Sequence, residues 1–162
     1  MNRRHFLLLA LSGLVTGCGF QLRGDTGRSN AAVYVHGKPE MAIVREMKRL
    51  LRGDRHMRLS DEVKSADAAA EILEDHNLKV ILSLSGTGKV REYQLRYSVA
   101  YRIRDRYGED LVSRSELTLV RDFSYDDTKV LAKEAEEALL LKDMHTDAAQ
   151  QILRRIATLS LR

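Results

Sequence analysis

The clearest pattern in the chain is an alternation. Tyr93, Leu95, Tyr97, Val99, Tyr101 and Ile103 fall on one side of an extended segment. Gln94, Arg96, Ser98, Arg102 and Arg104 fall on the other, with Ala100 among them. Period two with one apolar and one polar side is the mark of a half-buried strand. The preceding run alternates too: Leu78, Val80, Leu82 and Leu84 are interleaved with Lys79, Ile81, Ser83 and Ser85. Ser85-Gly86-Thr87-Gly88-Lys89 reads as the turn between these strands. Arg106-Tyr107-Gly108-Glu109 reads as a second hairpin turn with its glycine. Leu111 to Phe123 is the return strand, with Leu117 and Leu119 inward and Thr118 outward; Val120 breaks the alternation. Three strands joined by short turns predict an antiparallel meander.

Two segments carry helical spacing instead. After the β-prone run Ala31 to His36 and the break at Gly37-Lys38-Pro39, apolar residues recur at Ile43, Met47, Leu50 and Leu51, and Gly53 ends the pattern. Beyond Asp126 or Asp127, either of which can cap a helix start, Leu131, Ala135, Ala138, Leu141, Met144, Ala148, Ile152 and Ile156 follow in steps of three and four. Two stretches stay ambiguous. Met57-Arg58-Leu59 reads as a short edge strand or as loop, and Ala66 to Glu74 has helical propensity but leads into a strand pattern. The expected fold is an α/β two-layer sandwich: two helices on one face of a mainly antiparallel four-stranded sheet. The other face, carrying Gln94, Arg96, Ser98, Arg102 and Arg104, is expected to be free.

The N-terminus changes the picture. Arg3 and Arg4 precede the apolar run Phe6 to Val15, and Val15-Thr16-Gly17-Cys18 follows at once. A basic n-region, an apolar h-region and small residues at the processing point make an export signal. The apolar run is too short for a transmembrane helix, which needs about 20 residues. Cys18, the single cysteine, stands where lipid can be attached and where cleavage makes a new N-terminus. The expected organisation is a signal peptide over residues 1–17, a lipidated N-terminus and polar tether over 18–30, and one domain over 31–162. Several acyl chains on Cys18 would hold the protein on a membrane. Gly19, where an inner-membrane lipoprotein tends to carry aspartate, favours the outer membrane. Arg3-Arg4-His5-Phe6-Leu7 also has a weak twin-arginine character, so the export route stays open.

Charge and motifs exclude more than they assign. Of the net charge of +4, two units are Arg3 and Arg4, which leaves about two on the processed chain. That small excess, with no long basic tract, does not point to nucleic acid. No HExxH, CxxC or GxSxG motif occurs, and no two histidines stand four apart on a helix. Gly86-Thr87-Gly88-Lys89 lacks the hydroxyl residue and first glycine of a phosphate loop and leads into a strand. The acidic pairs Asp61-Glu62, Asp126-Asp127 and Glu136-Glu137 are neighbours in sequence rather than carboxylates facing across a cleft. The expectation is no enzyme, no metal and no cofactor. Lys89 and Arg91, at one end of the long strand, have the chemistry to meet phosphorylated headgroups, as do Arg96, Arg102 and Arg104 on its polar side.

Several fragments together resemble one family. Cys18-Gly19-Phe20-Gln21-Leu22-Arg23-Gly24, Val90 to Tyr97, Arg121 to Asp127, Val130 to Glu134, Glu136 to Leu140 and Lys142-Asp143-Met144 stand in the order and spacing of the LPS-assembly lipoprotein LptE family. The resemblance implies a non-enzymatic outer-membrane lipoprotein that plugs, and helps to assemble, a large lipopolysaccharide-exporting β-barrel in a 1:1 complex. It also implies binding of lipopolysaccharide on its way to the outer leaflet. Lys133 matches one of the family's glycolipid-binding basic residues. The other falls near Gly86, where Lys89 or Arg91 would substitute. Arg96, Arg102 and Arg104 would then face the polar lumen wall of the barrel. The competing reading is an envelope-maintenance or scaffolding lipoprotein with no glycolipid role.

Overall fold

The computed structural model describes residues 31–159 and Leu161. The export signal, Cys18 and the tether lie outside the described residues. The elements are β1 (Ala31–His36), α1 (Ala42–Gly53), β2 (Met57–Ser60), β3 (Ala68–Leu84), β4 (Val90–Asp105), β5 (Asp110–Ser124) and α2 (Val130–Thr158). Sheet order is β2-β1-β3-β4-β5. The first strand is parallel to both its neighbours, with α1 crossing between β1 and β2; β3, β4 and β5 form the expected antiparallel meander.

The sheet therefore has five strands, not four. The additional one, β2, is four residues long, too short for alternation to register in a sequence. The ambiguous stretch resolves as strand. Ala68, Ala70 and Ile72 are buried on the helix side of β3, beside Val33 and Val35 of β1. Helical propensity loses here because pairing with β1 and β4 buries this run on a central strand, and its small side chains leave room above it.

A bulge between Ile72 and Glu74 then shifts the phase of β3. Before it, Ala68, Ala70 and Ile72 face the helices; after it, Asp75, Asn77, Lys79 and Ile81 lie opposite the helix-side residues Val99, Tyr97, Leu95 and Tyr93 of β4. A one-residue insertion exchanges the two faces of everything beyond it. Leu78 and Val80 thus sit on the free face, opposite Arg96 and Gln94.

Ile43, Val44, Met47 and Leu51 of α1 and Met144, Ala148, Ile152 and Ile156 of α2 form one core with the helix-side residues of β1, β3 and β4. Leu117 and Leu119 of β5 pack against it as expected. The first half of α2 departs from expectation. Leu131, Ala135 and Ala138 are exposed, Leu131 at 82%. The reason is geometric. Residues 135 to 138, 141 and 144 are three successive steps of three, and each falls about 60° short of a full turn on a 3.6-residue helix. Three such steps rotate the apolar run through half a turn, from the outer face to the sheet. The helix starts one short turn after its cap: Asp126 Oδ1 accepts from the Thr128 amide at 3.0 Å, and a 3-10 turn, Asp127–Lys129, leads into α2.

One polar link ties the two helices. Glu46 of α1 accepts from Arg49 Nε and Nη2 at 2.8 and 2.6 Å and from Thr146 Oγ1 of α2 at 2.7 Å. The Arg49 fork above all, then Thr146, holds the Glu46 carboxyl down at about 2 against partial burial. A carboxyl that releases its proton more readily folded than unfolded stabilises above its ordinary value and loses that contribution on acidification. Thermal melts of Glu46→Gln should therefore lie below those of the parent near neutrality. The gap should close as pH falls from about 4.5 towards 2.

Candidate functional site

The meander extends beyond the core, and its far end gathers the basic residues that the sequence singles out. The β3–β4 turn is a hairpin closed by Ser85 N–H to Lys89 O at 2.7 Å and Gly88 N–H to Ser85 O at 2.9 Å. Gly88 takes φ +80°, which favours glycine. The run continues into β4 and not into a helix, so it is a turn and not a phosphate loop.

Lys89 reaches from this turn to the start of the helical segment, with Nζ 2.6 Å from Asp127 Oδ2. Asp127 as hydrogen-bond partner and as countercharge raises the lysine above its ordinary value. Lys133 turns inward under α2. Its Nζ lies 3.1 Å from Ser124 Oγ and 2.8 Å from Glu136 Oε2, and its side chain is only 16% exposed. Arg91 is held by its backbone, whose carbonyl accepts the Tyr125 amide at 2.7 Å. Its exposed guanidinium forms no ion pair with a described residue and lines a polar cleft of about 550 Å³ with Ser83, Glu92, Ser124 and Tyr125. The segment Ser124–Asp127 is thus touched by the ammonium groups of Lys89 and Lys133 and by the backbone of Arg91.

Beneath this end lies an arrangement that sequence reasoning missed. Lys79 Nζ lies 4.3 Å from the centre of the Tyr93 ring and 2.5 Å from Glu137 Oε2 of α2. Tyr93 stacks on Phe123 at 5.8 Å and meets Tyr125 edge-on at 5.1 Å. Together these contacts hold the first half of α2 over the sheet through polar and aromatic groups in place of an aliphatic core. The sequence signal was the lysine within an apolar strand. Only the bulge in β3 reveals that Lys79 faces the helix.

The free-face arginines do not form one patch. Arg102 pairs with Glu71 at 2.5 Å, and Arg104 bridges Glu71 at 3.3 Å and Asp110 at 3.2 Å. Those charges are already answered within the sheet. Among the described residues Arg96 bonds only Gln94 Oε1, at 3.1 Å, and it stands in a row between Leu78 and Val120. Leu78, Leu82, Leu84 and Val120 are large apolar residues exposed in this outer half of the meander, close to half or more for the three leucines. The combination is amphiphilic: open cations beside exposed aliphatic side chains. An anionic, acylated ligand or a polar wall with apolar interruptions could meet it, whereas the described residues offer no nucleophile–base pair.

The lipopolysaccharide-assembly family LptE matches residues 30–156. The LPS-assembly lipoprotein LptE of Pectobacterium atrosepticum is 29% identical over 99% of this chain and 89% of its own length. That of Yersinia enterocolitica is 30% identical over 96% of this chain and 76% of its own. Among solved structures, lipoprotein B of Nitrosomonas europaea superposes with a TM-score of 0.70 at 36% identity, covering 85% of this chain and 90% of that one. The rare lipoprotein B of Shewanella oneidensis gives 0.68 at 26% identity, covering 78% and 94%.

Proposed function

Since this chain belongs to the LptE lipopolysaccharide-assembly family, and is thereby a non-enzymatic outer-membrane lipoprotein, we propose that it binds lipopolysaccharide at the far end of its meander. The observation that carries this reading is the convergence of Lys89, Arg91 and Lys133 on Ser124–Asp127. Arg91 supplies the open charge, with the planar fork that suits phosphate. Lys89 exchanges Asp127 for a phosphate oxygen at little cost, because both side chains are exposed and water screens their pairing. Lys133, mostly covered, acts from beneath and orients Ser124. The neighbouring Leu82 and Leu84 give acyl chains an apolar surface.

In this reading Cys18 carries the lipid that holds the protein on the outer membrane, and the domain fills the lumen of the exporting barrel at 1:1 and assists its assembly. The free face, with Arg96 open and Arg102 and Arg104 internally paired, meets the lumen wall. Lys133→Glu and Arg91→Glu test the glycolipid half. Each should weaken lipopolysaccharide binding by about tenfold or more, the scale of a lost charge-assisted hydrogen bond, with an unchanged circular dichroism spectrum. Unchanged binding by both would remove the site. Co-purification from solubilised outer membranes tests the other half. A salt-resistant, equimolar barrel is expected; recovery with periplasmic factors and no barrel would favour the scaffolding role.

A further inference from the structure

The opposite end of the molecule has an apolar groove with no occupant among the described residues. It lies where the C-terminal ends of α1 and α2 meet the starts of β1 and β2, encloses about 440 Å³, and is lined chiefly by Ala31, Leu50, Met57, Leu153, Ala157 and Leu161. Leu153 is 5% exposed and forms part of the core, so the groove opens directly onto packed hydrophobic structure. Ala31 is both a lining residue and the first described residue of the chain. The start of β1 therefore stands at the mouth of the groove.

Between Cys18 and Ala31 the sequence is polar and glycine-containing except at two places, Phe20 and Leu22. They stand two apart, so an extended Phe20-Gln21-Leu22 presents both to one side. Eight residues separate Leu22 from Ala31, a reach of up to about 30 Å, and they include Gly24 and Gly27, which let the chain fold back. A phenylalanine and a leucine left in water forgo the free energy released when their apolar surface is buried. We infer that Phe20 and Leu22 dock into this groove, so that the lipid-bearing residue is fixed against the Ala31 end of the domain. Cys18 is then two residues from a seated anchor and not at the end of a free tether. The lipid end and the cation end become opposite poles of α2.

The test uses the full-length processed protein in detergent. Leu22→Cys combined with Ala157→Cys, both outside the tightly packed core, should form a disulfide under mild oxidation, which needs Cα atoms within about 7 Å. Leu22→Cys with Leu139→Cys should not, because residue 139 lies 18 positions back along the same helix, about 27 Å away. A second measurement reads the groove directly. Maleimide labelling of Ala157→Cys should quicken by about tenfold when F20S/L22S is added, as a docked segment is released. The processed parent protein, whose one cysteine, Cys18, is blocked by its lipid, sets the labelling baseline. Equal crosslinking to positions 157 and 139 overturns the proposal. So does a labelling rate unmoved by F20S/L22S, which would leave the groove to the acyl chains or to the barrel.

Discussion

Ile152→Ala should destabilise the domain by about 3–4 kcal/mol, whereas Leu131→Ala should leave it within about 0.5 kcal/mol of the parent. Both residues lie on the apolar run that steps of three and four trace along α2. Ile152 is fully buried and belongs to the core with α1 and the sheet; Leu131 is 82% exposed. Removing a buried branched side chain loses its transfer free energy and leaves a cavity that closely packed neighbours cannot fill. Urea denaturation of the two variants checks this. Equal losses would mean that the helix does not rotate its apolar face between residues 138 and 144.

The second large effect concerns the end of β1. A Cβ on Gly37 would stand 2.7 Å from Val44 Cγ2 of α1 and 3.2 Å from the Ile72 Cβ of β3. The helix and strand close over this position because the glycine presents no side chain. Gly37→Ala should therefore cost about 2–3 kcal/mol by overpacking. The diagnostic is its coupling to Val44→Ala, which removes the opposing methyl groups at the expense of a cavity. The double variant should be more stable than the sum of the two single losses implies, by about 1 kcal/mol. Additive losses in the same denaturation experiment would show that the clash with Val44 is not the cause.

The meander and both helices were legible because each repeats its pattern over many residues. Tyr93 to Ile103 marks a strand by six alternating positions, and the second half of α2 by Met144, Ala148, Ile152 and Ile156. What stayed hidden was of two kinds. Some elements were too short or too dependent on neighbours. Met57–Ser60 is strand only because it lines up with β1, and Ala68–Glu74 is strand only because it lies between β1 and β4. Other features hinge on a single insertion or on phase. The bulge after Ile72 sends Lys79 inward and Leu78 outward, and no propensity announces it. At the candidate site, the residue types were readable and Lys133 came from family resemblance. Their partners were not readable, since Lys89 and Asp127 stand 38 positions apart and Lys79 and Glu137 stand 58 apart. Such pairs exist only once the sheet has brought its far end under α2.

The 29-residue α2 also sets a length. At 1.5 Å per residue it is a rod of about 43 Å, longer than the hydrocarbon core of a bilayer, about 30 Å. If the proposed lipid anchor holds the Ala31 pole at one leaflet and the domain stands upright, its cation pole would reach past the level of the opposite leaflet. Lying flat, it keeps both poles at one height. If the basic tip meets an anionic lipid as proposed, the tilt of this one helix would set the depth of that meeting, and a wall around the domain would act by fixing that angle.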